Sequence, residues 1–304
     1  MAERVRAFIA PHTQLAESPV YREADNTLHY VDVLGQRITI LNLSDLHRCT
    51  IDCPEPVTFL AFHKDGGYIV CSFSSIVRVS DDGTWRIMMR VVEDTTIERL
   101  NDGGIDSQGR LWVGSIDRVG ETIPKLSGET TNHQGKGSIY RYELDGTLSI
   151  PQDGGVIAGN GLCWSPDNRT MYHVDSYRNC IWAYAFDAAA GTIRNRTIVV
   201  QRRVDEGEAD GLLVDRSGNL YTFIWEGGCV LRYSGTTGEI LQKWDLNATR
   251  VTHGAWIGPE YTNLLVTTAK SDDELPAWEG EEGGGLFCIT GCKSAGLRKK
   301  LFGV

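Results

Sequence analysis

The amino-acid sequence predicts an all-β chain folded as a six-bladed β-propeller, with four-stranded blades around a central channel. Three observations carry that expectation. Short runs rich in Val, Ile, Tyr, Trp and Leu are punctuated by Asp-Gly and Asn-Gly pairs among 34 glycines, the composition of strands joined by tight turns. A pair of strand units recurs six times at a spacing of roughly 45–50 residues, enough for one four-stranded sheet per copy. Long helical periodicity is hard to find.

The first unit of each copy starts at a turn and runs into a strand: Asn26–Val31, Gly66–Cys71, Gly109–Gly114, Arg169–Val174, Gly218–Phe223 and Thr262–Thr267. The second alternates between two faces: Gln36–Ile40, Ser75–Val79, Gly137–Tyr142, Asn179–Tyr184, Gly228–Tyr233 and Gly284–Ile289. Several of these run into turns such as Asp82-Gly83, Asp145-Gly146 or Thr237-Gly238. The run Val5–Ala10 precedes the first full unit and is expected to close the ring by completing the last blade. Radial repetition leaves only short sheet edges exposed. Residues 1–304 are expected to form one such domain. Two copies carry inserts: Ser115–Lys136, polar and Gly-rich, and Lys270–Gly283. The second holds Asp272, Asp273, Glu274, Glu279, Glu281 and Glu282 and is expected to be a solvated loop.

Composition excludes several functions. A net charge of −10 gives no electrostatic footprint for nucleic acid or an anionic membrane. No apolar run approaches the roughly 18 residues of a membrane span. Met1–Arg6 leads into no signal-peptide apolar region, so a cytoplasmic location is expected. Asn-x-Ser/Thr triplets at Asn42, Asn168, Asn195 and Asn247 are discounted on the same ground. The closest cysteine pairs, Cys49/Cys53 and Cys288/Cys292, lack the spacing of a zinc knuckle; the eight cysteines are expected to be reduced and mostly buried. A closed propeller is expected to be a monomer.

The repeat also serves as a ruler. About ten residues before each first-unit anchor lies one polar position, occupied in turn by Glu17, Thr58, Asn101, Asn160, Asp210 and His253. Inner strands of a propeller run along its axis, so these positions form a ring at one channel mouth. Any single Asp-Gly or Asn-Gly reads as a turn; recurrence of a polar residue in every copy points instead to a site. Two carboxylates and two amides are hard oxygen ligands, suited to Ca²⁺, Mg²⁺ or Mn²⁺ rather than to a thiolate zinc site.

Four runs then carry a resemblance, in order along nearly the whole chain: Ala16-Glu-Ser-Pro-Val-Tyr, Arg99-Leu-Asn-Asp-Gly-Gly-Ile-Asp-Ser-Gln-Gly-Arg-Leu-Trp-Val-Gly, Asn160-Gly-Leu-Cys-Trp-Ser-Pro-Asp with Tyr172-His-Val-Asp-Ser, and Asp210-Gly-Leu-Leu-Val-Asp-Arg-Ser-Gly. The chain resembles the senescence-marker-protein/gluconolactonase family, which includes regucalcin, aldonolactonases and luciferin-regenerating enzymes. The resemblance implies a six-bladed propeller with one divalent cation in the channel. It implies metal ligation by Glu17, Asn160 and Asp210 and substrate contacts from Arg99, Asn101 and Asp102, with Asp117 or Glu121 as a further acidic contact. The family's glutamate usually stands between glycines, whereas this chain has Ala16 and Ser18.

The expected chemistry is metal-dependent opening of a sugar lactone to an aldonic acid, with Asp210 as ligand and general base and His253 lining the pocket. Calcium is the first expectation for the cation; zinc, manganese, magnesium or iron(II) are alternatives. No Gly-x-Ser-x-Gly elbow or His-Glu-x-x-His pair supports another route. His29, His63 and His173 read as packing or hydrogen-bonded residues. A non-catalytic calcium-binding propeller, or a hydrolase of other esters or organophosphates, is the alternative.

Overall fold

A computed structural model describes residues 4–125, 132–272 and 276–304. Alternating, β-branched and aromatic runs form antiparallel strands, gathered into six four-stranded sheets. In blade 1, Ala16–Arg22 is innermost, followed outward by Thr27–Asp32, Arg37–Asn42 and Arg48–Asp52. The innermost strands of blades 2 to 6 are Val57–Phe62, Glu98–Ile105, Gly159–Trp164, Glu208–Val214 and Arg250–Ile257. Each packs against the inner strands of both neighbouring blades, and blade 6 meets blade 1, so the ring closes. The molecule is a six-bladed β-propeller.

Closure joins the two ends of the chain. Arg4–Ile9 forms the outer strand of blade 6, with Arg4 opposite Thr290 and Ala7 opposite Phe287. The repeat anchor of each second strand is fully interior: Leu28, Leu111, Met171, Leu220 and Leu264 are 0% exposed and Ile69 is 1% exposed. Six apolar clusters form the core, each lying chiefly between adjacent blades. Trp112, Leu162, Trp164 and Phe186 fill the wedge between blades 3 and 4. One blade cannot bury its faces alone, so stability is shared around the ring. Gly83 and Gly146 take φ of +84° and +88° in outer turns, a conformation that costs glycine little.

The acidic insert departs from a merely solvated loop. Asp272 accepts from Arg250 Nη1 at 2.6 Å and Nη2 at 3.0 Å. Glu281 accepts from Ser271 Oγ at 2.6 Å and the Thr249 amide at 2.8 Å, and Glu282 from Asn247 Nδ2 at 3.1 Å. These contacts tie the insert to the connection between blades 5 and 6, while Glu279 is exposed; Asp273 and Glu274 lie outside the described residues. Six of the eight cysteines are buried. Among the described residues no helix is long and apolar enough to cross a membrane.

Candidate metal and substrate site

Every inner strand carries a one-residue bulge near its start, and the pairings flanking it define a common level. Counted back two residues from the pair that follows each bulge, one level holds Ser18, Val57, Asn101, Asn160, Asp210 and Thr252. The next level holds Pro19, Thr58, Asp102, Gly161, Gly211 and His253. The expected ring is therefore corrected at three places: Glu17 stands one residue earlier, and Thr58 and His253 one residue later, along their strands. Asn160-Gly161 and Asp210-Gly211 lie within strands, not turns. Their glycines serve close approach, because a Cβ on Gly161 would come within 2.2 Å of the Leu212 nitrogen.

Strand closure brings Glu17, Asn160 and Asp210 together. The Asp210 carboxyl lies within hydrogen-bond reach of the Asn160 amide and of the Glu17 carboxyl. Asn160 also donates to Ser176 Oγ at 3.2 Å, which orients its amide. Burial raises both carboxyls well above the usual range; the charges of Asp210 and Asp102 push Glu17 further, and Asp102 does the same to Asp210. Among the described residues no group of three or more His, Cys, Asp or Glu gathers as a cation cage. The set is two carboxylates and an amide, all oxygen donors, with like charges brought close together. A hard divalent cation fits it, with coordination positions left for water or substrate.

Ser18 explains how the Glu17 loop works without its glycine. Its φ is +48°, in the left-handed region that glycine usually fills, and it is 0% exposed. Its hydroxyl accepts from the Leu60 amide at 3.0 Å and donates to the Leu60 carbonyl at 3.3 Å in the next blade. The Ser18 amide donates to Glu17 Oε2 at 3.3 Å, so the strained residue aims the carboxylate.

Arg99 and Glu121 stand beside the set. Arg99 Nη1 donates to Asn101 Oδ1 at 2.8 Å, Nη2 lies 3.6 Å from Glu121 Oε1, and the guanidinium sits 5.1 Å from the Phe73 ring centre. Burial works against the Arg99 charge and Glu121 supports it. Asn101 Nδ2 donates to the Gly159 carbonyl at 3.0 Å, so its amide bridges blades 3 and 4. Asp117 is fully engaged: it accepts from the amides of Val119, Gly120 and Lys136 and from His133 Nε2 at 2.7 Å. Burial alone would raise Asp117, but these bonds hold it below its usual value. Glu121, not Asp117, faces Arg99.

Asp102 and His253 meet one level further along. They are 3% and 2% exposed, with His253 Nε2 at 3.3 Å from Asp102 Oδ2, an oxygen that accepts no hydrogen bond. Burial keeps His253 below its ordinary value. His29 is held between Thr27 and Tyr68 at 2.7 and 2.8 Å, and His63 accepts from the Asp65 amide. His173 is buried, and its ring nitrogens have no hydrogen-bond partner.

Two residues of the mouth escaped the sequence reading. Tyr177 lies near Arg99 and Glu121, with burial raising its hydroxyl to about 12. Lys125 sits 4.2 Å from the Tyr177 ring centre and pairs with Glu208. Tyr177 directly follows the run Tyr172-His-Val-Asp-Ser, so its neighbourhood was visible; Lys125 belongs to an insert without periodicity.

Comparison with known proteins agrees with the fold. Residues 15–270 match the model of the SMP-30/Gluconolactonase/LRE-like region. Regucalcin of Sus scrofa is 30% identical over 298 residues, covering 97% of this chain and 96% of its own. The calcium-binding protein regucalcin of Agrobacterium tumefaciens superposes with a TM-score of 0.85 at 24% identity, covering 98% of each chain. A gluconolactonase of Xanthomonas campestris superposes at 0.72 and 20% identity, covering 95% of this chain and 89% of its own. With the family's region spanning all six inner strands, the chain belongs to the SMP-30/gluconolactonase/LRE-like family.

Proposed function

We propose that this propeller is a metal-dependent lactonase that opens sugar lactones to aldonic acids. The observation that carries the reading is the convergence of Glu17, Asn160 and Asp210 from blades 1, 4 and 5 beside Arg99 and Glu121. A divalent cation held by Glu17, Asn160 and Asp210, calcium first, supplies a Lewis acid for the lactone carbonyl. Asp210 would accept a proton from the attacking water or orient a hydroxide on the cation, since a ligating carboxylate is a weak base. Arg99 donates to ring hydroxyls, and Glu121 accepts from one while holding Arg99 in place. Asn101, already bridging the blades, keeps a second Nδ2 hydrogen for a substrate hydroxyl, and Asp102 and His253 shape the floor. The gluconolactonase relatives favour this reading.

The test is base uptake in weak buffer across five- and six-membered aldonolactones, with stripped protein titrated by calcium or manganese. A rate above spontaneous opening that appears with metal supports the reading; full turnover in stripped protein sinks it. A metal-binding protein with no turnover on any lactone selects the non-catalytic calcium-binding propeller. Arg99→Met is expected to lower kcat/KM about 10- to 100-fold, chiefly through KM, by removing charged hydrogen bonds to substrate. Steady-state kinetics checks this.

A pH dependence follows for the stripped protein. Glu17 and Asp210 have folded-state pKa values above their unfolded ones, so their contribution to stability is complete at acid pH. It is lost as pH rises through the raised values, where burial of ionised carboxylates becomes costly. Cation binding displaces those protons, so affinity is expected to rise with pH by up to about tenfold per unit for each proton released. Calorimetric titrations in buffers of different ionisation enthalpy measure it.

A further inference from the structure

The chain does not stop at the last blade. After Leu286–Thr290 it crosses the channel end opposite the site, stitched to four blades. The Cys292 and Gly296 amides donate to Thr262 and Tyr261 carbonyls at 3.0 and 2.8 Å in blade 6, and the Arg216 amide of blade 5 donates to Ala295. Gly296 lies flat on the Trp256 indole, where a Cβ would come within 1.9 Å of the ring. Beyond the axis the Phe302 amide donates to Phe62 at 2.9 Å in blade 2, and the Gly303 amide to Gly109 at 3.0 Å in blade 3.

Leu297–Lys300 spans the gap between these anchors and lines an axial cavity of about 240 Å³, walled by the far ends of the inner strands. Its lining carries Arg298, Lys299 and Lys300 and no carboxylate, in a protein of net charge −10. Arg298 and Lys300 are exposed, whereas Lys299 is partly buried, and its electrostatic neighbours are Asp102, Glu17 and the Cys163 thiol. Lys299 thus lies in the axial lining, beside Cys163, with its charge acting on Asp102 and Glu17.

We propose that the C-terminal segment is a built-in counter-charge: it plugs the far mouth and seats Lys299 beneath Asp102 and Glu17, stabilising the site without metal and weakening its hold on a divalent cation. The physical basis is simple. Carboxylates brought together by ring closure repel inside an enclosed channel, and a fixed ammonium offsets that repulsion. The same ammonium repels an incoming cation, so the ring need not bind it irreversibly. Lys299 is a positioning residue, and the inference rests on Glu17, Asn160 and Asp210 being the cation's ligands.

Lys299→Met and Lys299→Arg test it, with calcium affinity measured by calorimetry and Tm measured on stripped protein at pH 8. Lys299→Met is expected to bind calcium about five- to tenfold more tightly and to melt about 4 °C lower when stripped, while Lys299→Arg keeps both values. A purely structural defect would weaken binding rather than strengthen it. Unchanged affinity and unchanged stripped Tm in Lys299→Met overturn the proposal, as does weaker binding. If the parent protein binds no calcium, the ligand assignment fails by itself. The stripped Tm then still decides for or against the counter-charge.

Discussion

Asp210→Ala is expected to abolish metal-dependent lactone opening, with kcat/KM falling at least about 10³-fold, within the range lost when a base is removed together with a ligand. Asp210 is 5% exposed and reaches both Glu17 and Asn160, so no neighbouring side chain can take its place. Asp210→Asn keeps the shape and discards the charge, and should lose nearly as much activity along with calcium binding. Stability should move the other way. An ionised Asp210 faces the charges of Glu17 and Asp102 in an enclosed channel, so stripped Asp210→Asn should be more stable than stripped parent by about 1–2 kcal/mol at pH 8. Kinetics with urea unfolding on the same protein checks both signs. A variant that loses activity and stability together has a packing defect, and one that keeps its activity removes Asp210 from the mechanism.

That opposition of signs also shows why part of the site was legible. Evolutionary cost is visible in a residue that offends its surroundings: a carboxylate followed by glycine inside an apolar run, as at Asp210-Gly211-Leu212, breaks strand chemistry for a reason. The repeat anchors were equally plain, because Leu28, Ile69, Leu111, Met171, Leu220 and Leu264 share one buried role. The level of the ring was readable only within a residue. The link between first and second strands varies by up to two residues among blades, so counting back from the anchor lands on Glu17, Thr58 and His253 where pairing selects Ser18, Val57 and Thr252. Ser18 could not be foreseen in its left-handed conformation, since its tolerance depends on the Leu60 backbone of another blade. Lys299 lies beyond the last repeat, where no period predicts which side chain meets the axis.

Trp112→Ala is expected to cost about 3–5 kcal/mol of stability, a large share of what a domain holds. Trp112 is 0% exposed on the second strand of blade 3 and packs edge-on against Trp164 and Phe186 of blade 4, with centroid distances of 6.2 and 5.7 Å. Its Nε1 donates to Asp106 Oδ2 at 2.9 Å, the oxygen that also holds Arg110 Nε at 2.7 Å. Alanine therefore opens a cavity between two blades and takes one donor from a buried carboxylate. Trp112→Phe keeps an aromatic ring but loses the donor and part of the indole's packing, so about 1–3 kcal/mol should separate it from the parent. Because the blades close on one another, the damage should lower a single cooperative transition rather than melt blade 3 alone. Lactone turnover well below the melting range should be preserved, since Trp112 faces a blade interface and not the channel. Urea unfolding followed by both tryptophan fluorescence and far-ultraviolet circular dichroism checks this. Two separated transitions, or a cost under about 1 kcal/mol, would show that the wedge between blades 3 and 4 repacks independently of the ring.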